Sequence, residues 1–112
     1  MTIFEKIAAR EVPAHIVHET DDILAFRDAS PKAPVHVLIV PKHPIARIGE
    51  AGELDADLLG RLLLTAQTVA RLEGVAESGY RIVINNGRDA GESVPHLHVH
   101  LLGGRALQWP PG

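Results

Sequence analysis

Pro95-His96-Leu97-His98-Val99-His100-Leu101-Leu102 places three of the seven histidines on alternate positions among branched apolar residues. Alternation of this kind is the period of a pleated strand, whose successive side chains point to opposite faces. His96, His98 and His100 are therefore expected on one face, with Leu97, Val99 and Leu101 turned to the core. Three readings fit such a row. The plainest is a half-buried strand whose outer face is rich in histidine. A second is a zinc site, since a pair at i, i+2 on a strand can chelate. Same-face neighbours stand about 6.6 Å apart and the outer pair about 13 Å, against Zn–N bonds of about 2.1 Å, so one ion cannot take all three. The third is chemistry by imidazole itself, as nucleophile, proton carrier and anion binder near neutral pH.

Immediately upstream, Tyr80 to Asn85 reads as a strand, joined to the histidine strand by the polar loop Asn86 to Ser93. Alternation puts Asn85 opposite in direction to Ile82 and Ile84, so it can share the polar face of the imidazoles. Gly87 and Gly91 permit the positive φ angles that turn successive N–H groups toward an anion. Read alone, the loop is a long hairpin connection; beside three imidazoles it is a small phosphate cradle, though not a Walker loop.

The other elements supply a scaffold. Val35 to Pro41 is the most apolar strand and should be central; His36 within it reads, by itself, as a satisfied core histidine. Ala14 to Glu19 and Ile23 to Asp28 form a hairpin around Thr20-Asp21-Asp22, with His15 and His18 on opposite faces as surface residues. Asp28 ends that hairpin before Ala29-Ser30-Pro31, where its carboxylate can cap the turn. Thr2-Ile3-Phe4-Glu5 has capping-box spacing and opens a short helix carrying Ile3, Phe4 and Ile7, stopped by Pro13. Asp55 to Glu73 has apolar residues at 58, 59, 62, 63, 66, 69 and 72, the period of a long amphipathic helix. Gly60 inside it costs about 1 kcal/mol relative to Ala, which points to close packing against a strand or another helix. The fold class is α+β: an antiparallel sheet of about five strands, one long helix and one short helix.

At 112 residues the chain is a single domain, spanning 1–112, and near the size where oligomerisation aids stability. Its net charge of −3, with lysine only at 6, 32 and 42, offers no basic stripe, so nucleic acid is not an expected partner. Absence of cysteine excludes disulfides and thiol catalysis. Charged Glu5, Lys6, Arg10 and Glu11 interrupt the N-terminal apolar residues, and no apolar run reaches a membrane span, so a cytoplasmic protein without membrane contact is expected.

The run His96 to Leu102 resembles the histidine triad (HIT) signature. Gly91-Glu92-Ser93-Val94, Gly103-Gly104-Arg105 and the terminal Trp109-Pro110-Pro111-Gly112 are similar to the HIT nucleotide-binding branch that acts as purine nucleoside phosphoramidases, and the resemblance covers nearly the whole chain. It implies a HIT-like fold, homodimeric, that hydrolyses adenosine 5′-phosphoramidates of small amines or lysine. His98 is the expected nucleophile, attacking the α-phosphorus to give a nucleotidyl-histidine that water hydrolyses. The resemblance adds His36 and His96 in support and His100 on the phosphate oxygens. It also implies Ile3, Phe4 and Ile7 as a wall against the purine, Phe26, Asp28 and Ala29 at the ribose, and Asn85, Gly91, Glu92 and Ser93 at the phosphate, with backbone N–H groups of Glu92 and Ser93 donating. Residues 105–112 are expected at the dimer edge, bringing Trp109 to the partner's substrate. No metal and no cofactor are implied. Two positions depart from the family pattern: Pro44 replaces a histidine, and Glu92 stands where glutamine is common. The alternatives are a dinucleoside polyphosphate hydrolase of the same family, a dimeric nucleotide-binding module with little turnover, and the zinc site above.

Overall fold

A computed structural model describes all 112 residues. Five strands form one antiparallel sheet: β1 (Ile16–Glu19), β2 (Ile23–Arg27), β3 (Val35–Pro41), β4 (Tyr80–Val83) and β5 (Val99–Gly103), in the order β1-β2-β3-β5-β4. The last strand thus inserts between β3 and β4. As expected from its composition β3 is central, with all but its first residue buried. The short helix α1 (Ile3–Ala8) and the long helix α2 (Ala56–Leu72) complete the fold.

The period of two along the strands builds two cores. On one face Ala25, Val37, Ile39, Val99 and Leu101 pack against Leu62, Ala66, Val69 and Ala70 of α2. On the other Leu24, Phe26, Leu38 and Val40 pack against Phe4 and Ile7 of α1. The capping box holds α1 in place: Thr2 Oγ1 accepts from the Glu5 N–H, and Glu5 accepts from the Thr2 N–H at 2.9 Å.

Four expectations need correction. The histidine strand begins only at Val99, so His96 and His98 precede it rather than sharing its pleat. The ladder stops there because Pro41, at the end of β3, has no N–H to continue it. Leu97 N–H donates instead to Ile45 O at 2.6 Å, and the chain bends at His96, whose N–H bonds to Val94 O. Strand β4 likewise ends at Val83, two residues before Asn85. On α2, Leu63 and Leu72 are exposed, while Thr65 and Ala70 are buried in the stripe centred on Leu62, Ala66 and Val69. Gly60 has open space beside it, so no neighbour within the chain explains it. Pro44 is accommodated at an exposed position just after the bend at Lys42 and His43, with Ile45 buried after it.

Candidate active site

On the α1 face, cross-strand register lines up Phe26, Leu38, His100 and Val83 in one row, one residue from each of four strands. His36 lies two positions from Leu38 on the same face. Above this row α1 stands off the sheet and leaves a cleft of about 670 Å³, lined by Ile3, Phe4, Ile7, Val12, Pro13, Ala14, His15, Phe26, Arg27, Asp28, Ala29, Leu38, Ser93, Val94, His98 and His100. One end is apolar, where Phe4 and Phe26 pack with ring centroids 5.5 Å apart. The other carries the imidazoles.

Hydrogen bonds set the tautomer of each histidine. The Lys32 N–H donates to His36 Nδ1 at 3.0 Å. A neutral His36 must then carry its proton on Nε2, which lies 2.9 Å from His100 Nδ1 and 3.5 Å from Asp28 Oδ2. His100 Nδ1 accepts that proton, so neutral His100 is protonated on Nε2. At His98 the reverse holds: Nδ1 is 2.7 Å from His96 O, an acceptor, so Nδ1 carries the hydrogen and Nε2 a lone pair. His96 itself donates from Nε2 to Pro41 O at 2.7 Å, leaving Nδ1 to accept from the Thr2 hydroxyl at 2.8 Å. Every solvent-shielded side-chain nitrogen and oxygen has a partner. The unpaired Nε2 atoms of His98 and His100 are therefore open to the cleft both rings line, 5.0 Å apart between centroids. One presents a lone pair and the other an N–H.

Burial reinforces this pattern. His100 is pushed down to about 4, first by burial and then by the neighbouring His98 and His36 charges, so it is neutral at pH 7. Burial is also the main reason that His36 and His96 are lowered; Asp28 opposes it at His36, and the Pro41 carbonyl and Glu5 oppose it at His96. A lone pair beside a neutral N–H donor is what attack on an anionic phosphate ester requires.

The phosphate loop departs from expectation in detail. Ser93 lines the cleft, and its N–H has no acceptor within the chain. The Glu92 N–H does: it donates to Gly87 O at 3.1 Å and is not free for a ligand. The Glu92 carboxylate turns away from the cleft to Arg47, with Nε to Oε1 at 2.9 Å and Nη2 to Oε2 at 3.0 Å, and accepts the Gly87 N–H at 3.0 Å. Asn85 and Gly91 also lie outside the cleft lining. Gly91 serves the loop by its left-handed conformation, φ 79°. Asp28 caps the turn as expected, one carboxylate oxygen accepting the Ser30 N–H at 2.8 Å, and the residue lines the cleft with Phe26 and Ala29. Trp109 is 80% exposed, away from the cleft of its own chain, with Arg81 over its ring at 6.0 Å.

Val12, Pro13, Ala14, His15, Arg27, Leu38 and Val94 are cleft residues for which the sequence predicts no site role; of these only Leu38 carries a signal, its period-two relation to His36 on the same strand. Asp28, His36 and His100 bring one donor atom each within 4.8 Å of one another. That carboxylate and imidazole set suits a divalent cation, which would compete with the hydrogen bonds that set the two tautomers.

A family model described as "HIT domain" matches residues 9–107. The adenylylsulfatase HINT1 of Arabidopsis thaliana is 52% identical over 99% of this chain and 76% of its own length. A 14 kDa zinc-binding protein of Brassica juncea is 51% identical over 99% of both. Among solved structures, a HIT family hydrolase from Legionella pneumophila superimposes with a TM-score of 0.97 at 48% identity, covering 100% of each chain.

Proposed function

Because this chain belongs to the HIT family, similar over its length to a hydrolase and an adenylylsulfatase, we propose that its nucleotidyl hydrolysis is directed at purine nucleoside phosphoramidates. The apolar end of the cleft takes the base, Asp28 accepts from the ribose hydroxyls, and the phosphate lies at Ser93, His98 and His100. The observation that carries this reading is the opposed pair of tautomers at His98 and His100.

The His98 Nε2 lone pair attacks the α-phosphorus as the P–N bond breaks, and the leaving amine takes up a proton from solvent as it departs. The His100 Nε2–H and the Ser93 N–H donate to the phosphate oxygens, where negative charge must be stabilised. Water then attacks phosphorus, giving up a proton to solvent in place of the one consumed in the first step, the bond to His98 breaks, and the nucleotide leaves with His98 neutral again. His96 acts through its carbonyl, which holds the His98 tautomer, and His36 does the same for His100. Asp28, His36 and His100 are the residues that would hold a zinc ion, whose positive charge would stabilise the same phosphate oxygens; the imidazole route is complete without it.

The active unit in this reading is a homodimer. Strand β4 is an open sheet edge on which Ile82 is 38% exposed; Ile84, just past its end, is 37% exposed, and Leu63 of α2 is 47% exposed. Leu63 lies on the helix flank opposite Arg61, Leu64 and Thr68, which border β1 and β2. It therefore belongs to the β4 side, and an apolar edge of this kind is a surface for a second copy. Trp109, beside Arg81 of β4, would then lie at the junction of the two subunits.

The test is amine release from an adenosine 5′-phosphoramidate, with chelator present. Turnover that survives chelator and drops by at least about 10³-fold in His98→Ala, with AMP binding retained, supports the reading. An intact protein that binds AMP without turnover overturns it in favour of a nucleotide-binding module. Faster cleavage of a dinucleoside polyphosphate would favour that substrate instead.

A further inference from the structure

Glu92 poses a physical problem: a carboxylate one residue from Ser93, in a loop whose proposed ligand is an anion. The surrounding geometry answers it. Both Glu92 oxygens are taken by the Arg47 fork, and the pair is half-shielded, with side-chain exposures of 30% for Arg47 and 13% for Glu92. A planar guanidinium matched to both oxygens of a carboxylate is the strongest of side-chain ion pairs and fixes orientation as well as charge. Glu92 also closes its own loop twice, through its carboxylate to the Gly87 N–H and through its N–H to Gly87 O.

Arg47 sits on a separate segment, between β3 and α2, that ties down both ends of this loop. Asn86 Oδ1 accepts the Gly49 N–H at 2.6 Å on one side, and Ile45 O accepts the Leu97 N–H at 2.6 Å on the other. Arg47 supplies the tie between them. Glu92 is held below the ordinary carboxylate range, first by Arg47, then by the Gly87 N–H, with a smaller contribution from His98. It is therefore ionised at neutral pH.

From this geometry we infer that Arg47 is a positioning residue for the phosphate subsite: it holds Glu92 away from the cleft through Nε and Nη2, offsets the Glu92 charge while its Nη1 pairs with the more exposed Glu50, and so aims the free Ser93 N–H at the phosphate. Glutamine at position 92 could accept from Gly87 through its carbonyl oxygen but could not receive both arms of the fork, so arginine at 47 and glutamate at 92 form one matched device. The inference rests on the nucleotide-phosphate assignment above but not on turnover.

The experiment titrates AMP and adenosine into the parent protein, Arg47→Met, Arg47→Lys and the double variant Arg47→Met/Glu92→Gln, and measures phosphoramidate turnover in parallel. Loss of Arg47 is expected to weaken AMP by about tenfold while leaving adenosine within twofold, because the uncancelled charge acts only on the phosphate. Arg47→Lys should fall between, keeping the charge without the fork, and the double variant should regain most of the AMP affinity. A general collapse of the site would weaken both ligands equally and overturns the inference, as does AMP binding unchanged in Arg47→Met or a double variant no better than the single. A parent that binds AMP with this Arg47 dependence yet shows no turnover supports the inference and counts against the phosphoramidase reading alone.

Discussion

His98 and His100 are the same amino acid two positions apart, yet one presents a lone pair and the other an N–H. The difference comes from what each Nδ1 meets: the His96 carbonyl in one case, the protonated Nε2 of His36 in the other. Each assignment depends on a backbone group, and the second runs back through His36 to the Lys32 N–H. Arg105 holds that segment by donating to Lys32 O at 2.9 Å. The same arrangement makes stability depend on pH. His36, His96 and His100 are all lowered in the folded state, His100 to about 4, against an ordinary value of 6.5. Above pH 6.5 both folded and unfolded chains keep them neutral. Below it the unfolded chain gains protons that the folded chain refuses, so stability is lost as pH falls from 6.5 toward 4. The lowered carboxylates of Glu5, Glu19 and Glu92 add to this only near and below 4.5. Denaturation midpoints at pH 7.5, 6.5, 5.5 and 4.5 should show a decline already present between 6.5 and 5.5, shallower in His100→Gln. A flat profile across that interval would contradict the histidine assignments.

At the scale of elements, α1 does more than its six residues suggest. Thr2 caps the helix through the Glu5 N–H and donates its hydroxyl proton to His96 Nδ1, while Phe4 sets its ring edge-on to His96 and His98 at 5.5 and 5.1 Å between centroids. A helix this short has little stability of its own, so its cap and its contacts with the histidines stabilise one another. Thr2→Val should cost about 1 kcal/mol by loss of the cap, read by chemical denaturation. It should also lower kcat more than it raises KM, because the tie it removes supports His96, whose carbonyl orients the His98 ring, rather than the nucleotide. Thr2→Ser, which retains the hydroxyl, should restore both. The start of β5 belongs at this scale as well. The alternating histidines are all in sequence register, but only His100 lies within the ladder, because Pro41 ends the partner strand and the bend at His96 carries that side chain down to the Pro41 carbonyl.

For the molecule as a whole, the open β4 edge and the exposed Leu63, Ile82 and Ile84 set the expected assembly. Sedimentation of the full chain should give twice the mass of one subunit, and Leu63→Asp/Ile82→Asp should shift it to one subunit while the cleft, formed within one chain, still binds AMP. A monomeric parent would remove Trp109 from any role at a neighbouring site. Much of this molecule was legible in the sequence because it depends on local pattern. The period of two around Val35 to Pro41 and around His100, the helical period of Asp55 to Glu73 and the Thr2 capping box each follow from sterics and side-chain direction within a few residues. The HIT signature likewise marked His98 and its neighbours, Ser93 and Asp28. Tertiary structure alone decided which atoms those residues present. That His36 faces His100, that Glu92 turns to Arg47 45 residues away, that its N–H is spent on Gly87, and that His96 is buried against Pro41 and Thr2 are outcomes of strand order and loop packing. Hydrogen-bond partners distant along the chain set tautomer, charge and direction, and no local period encodes them.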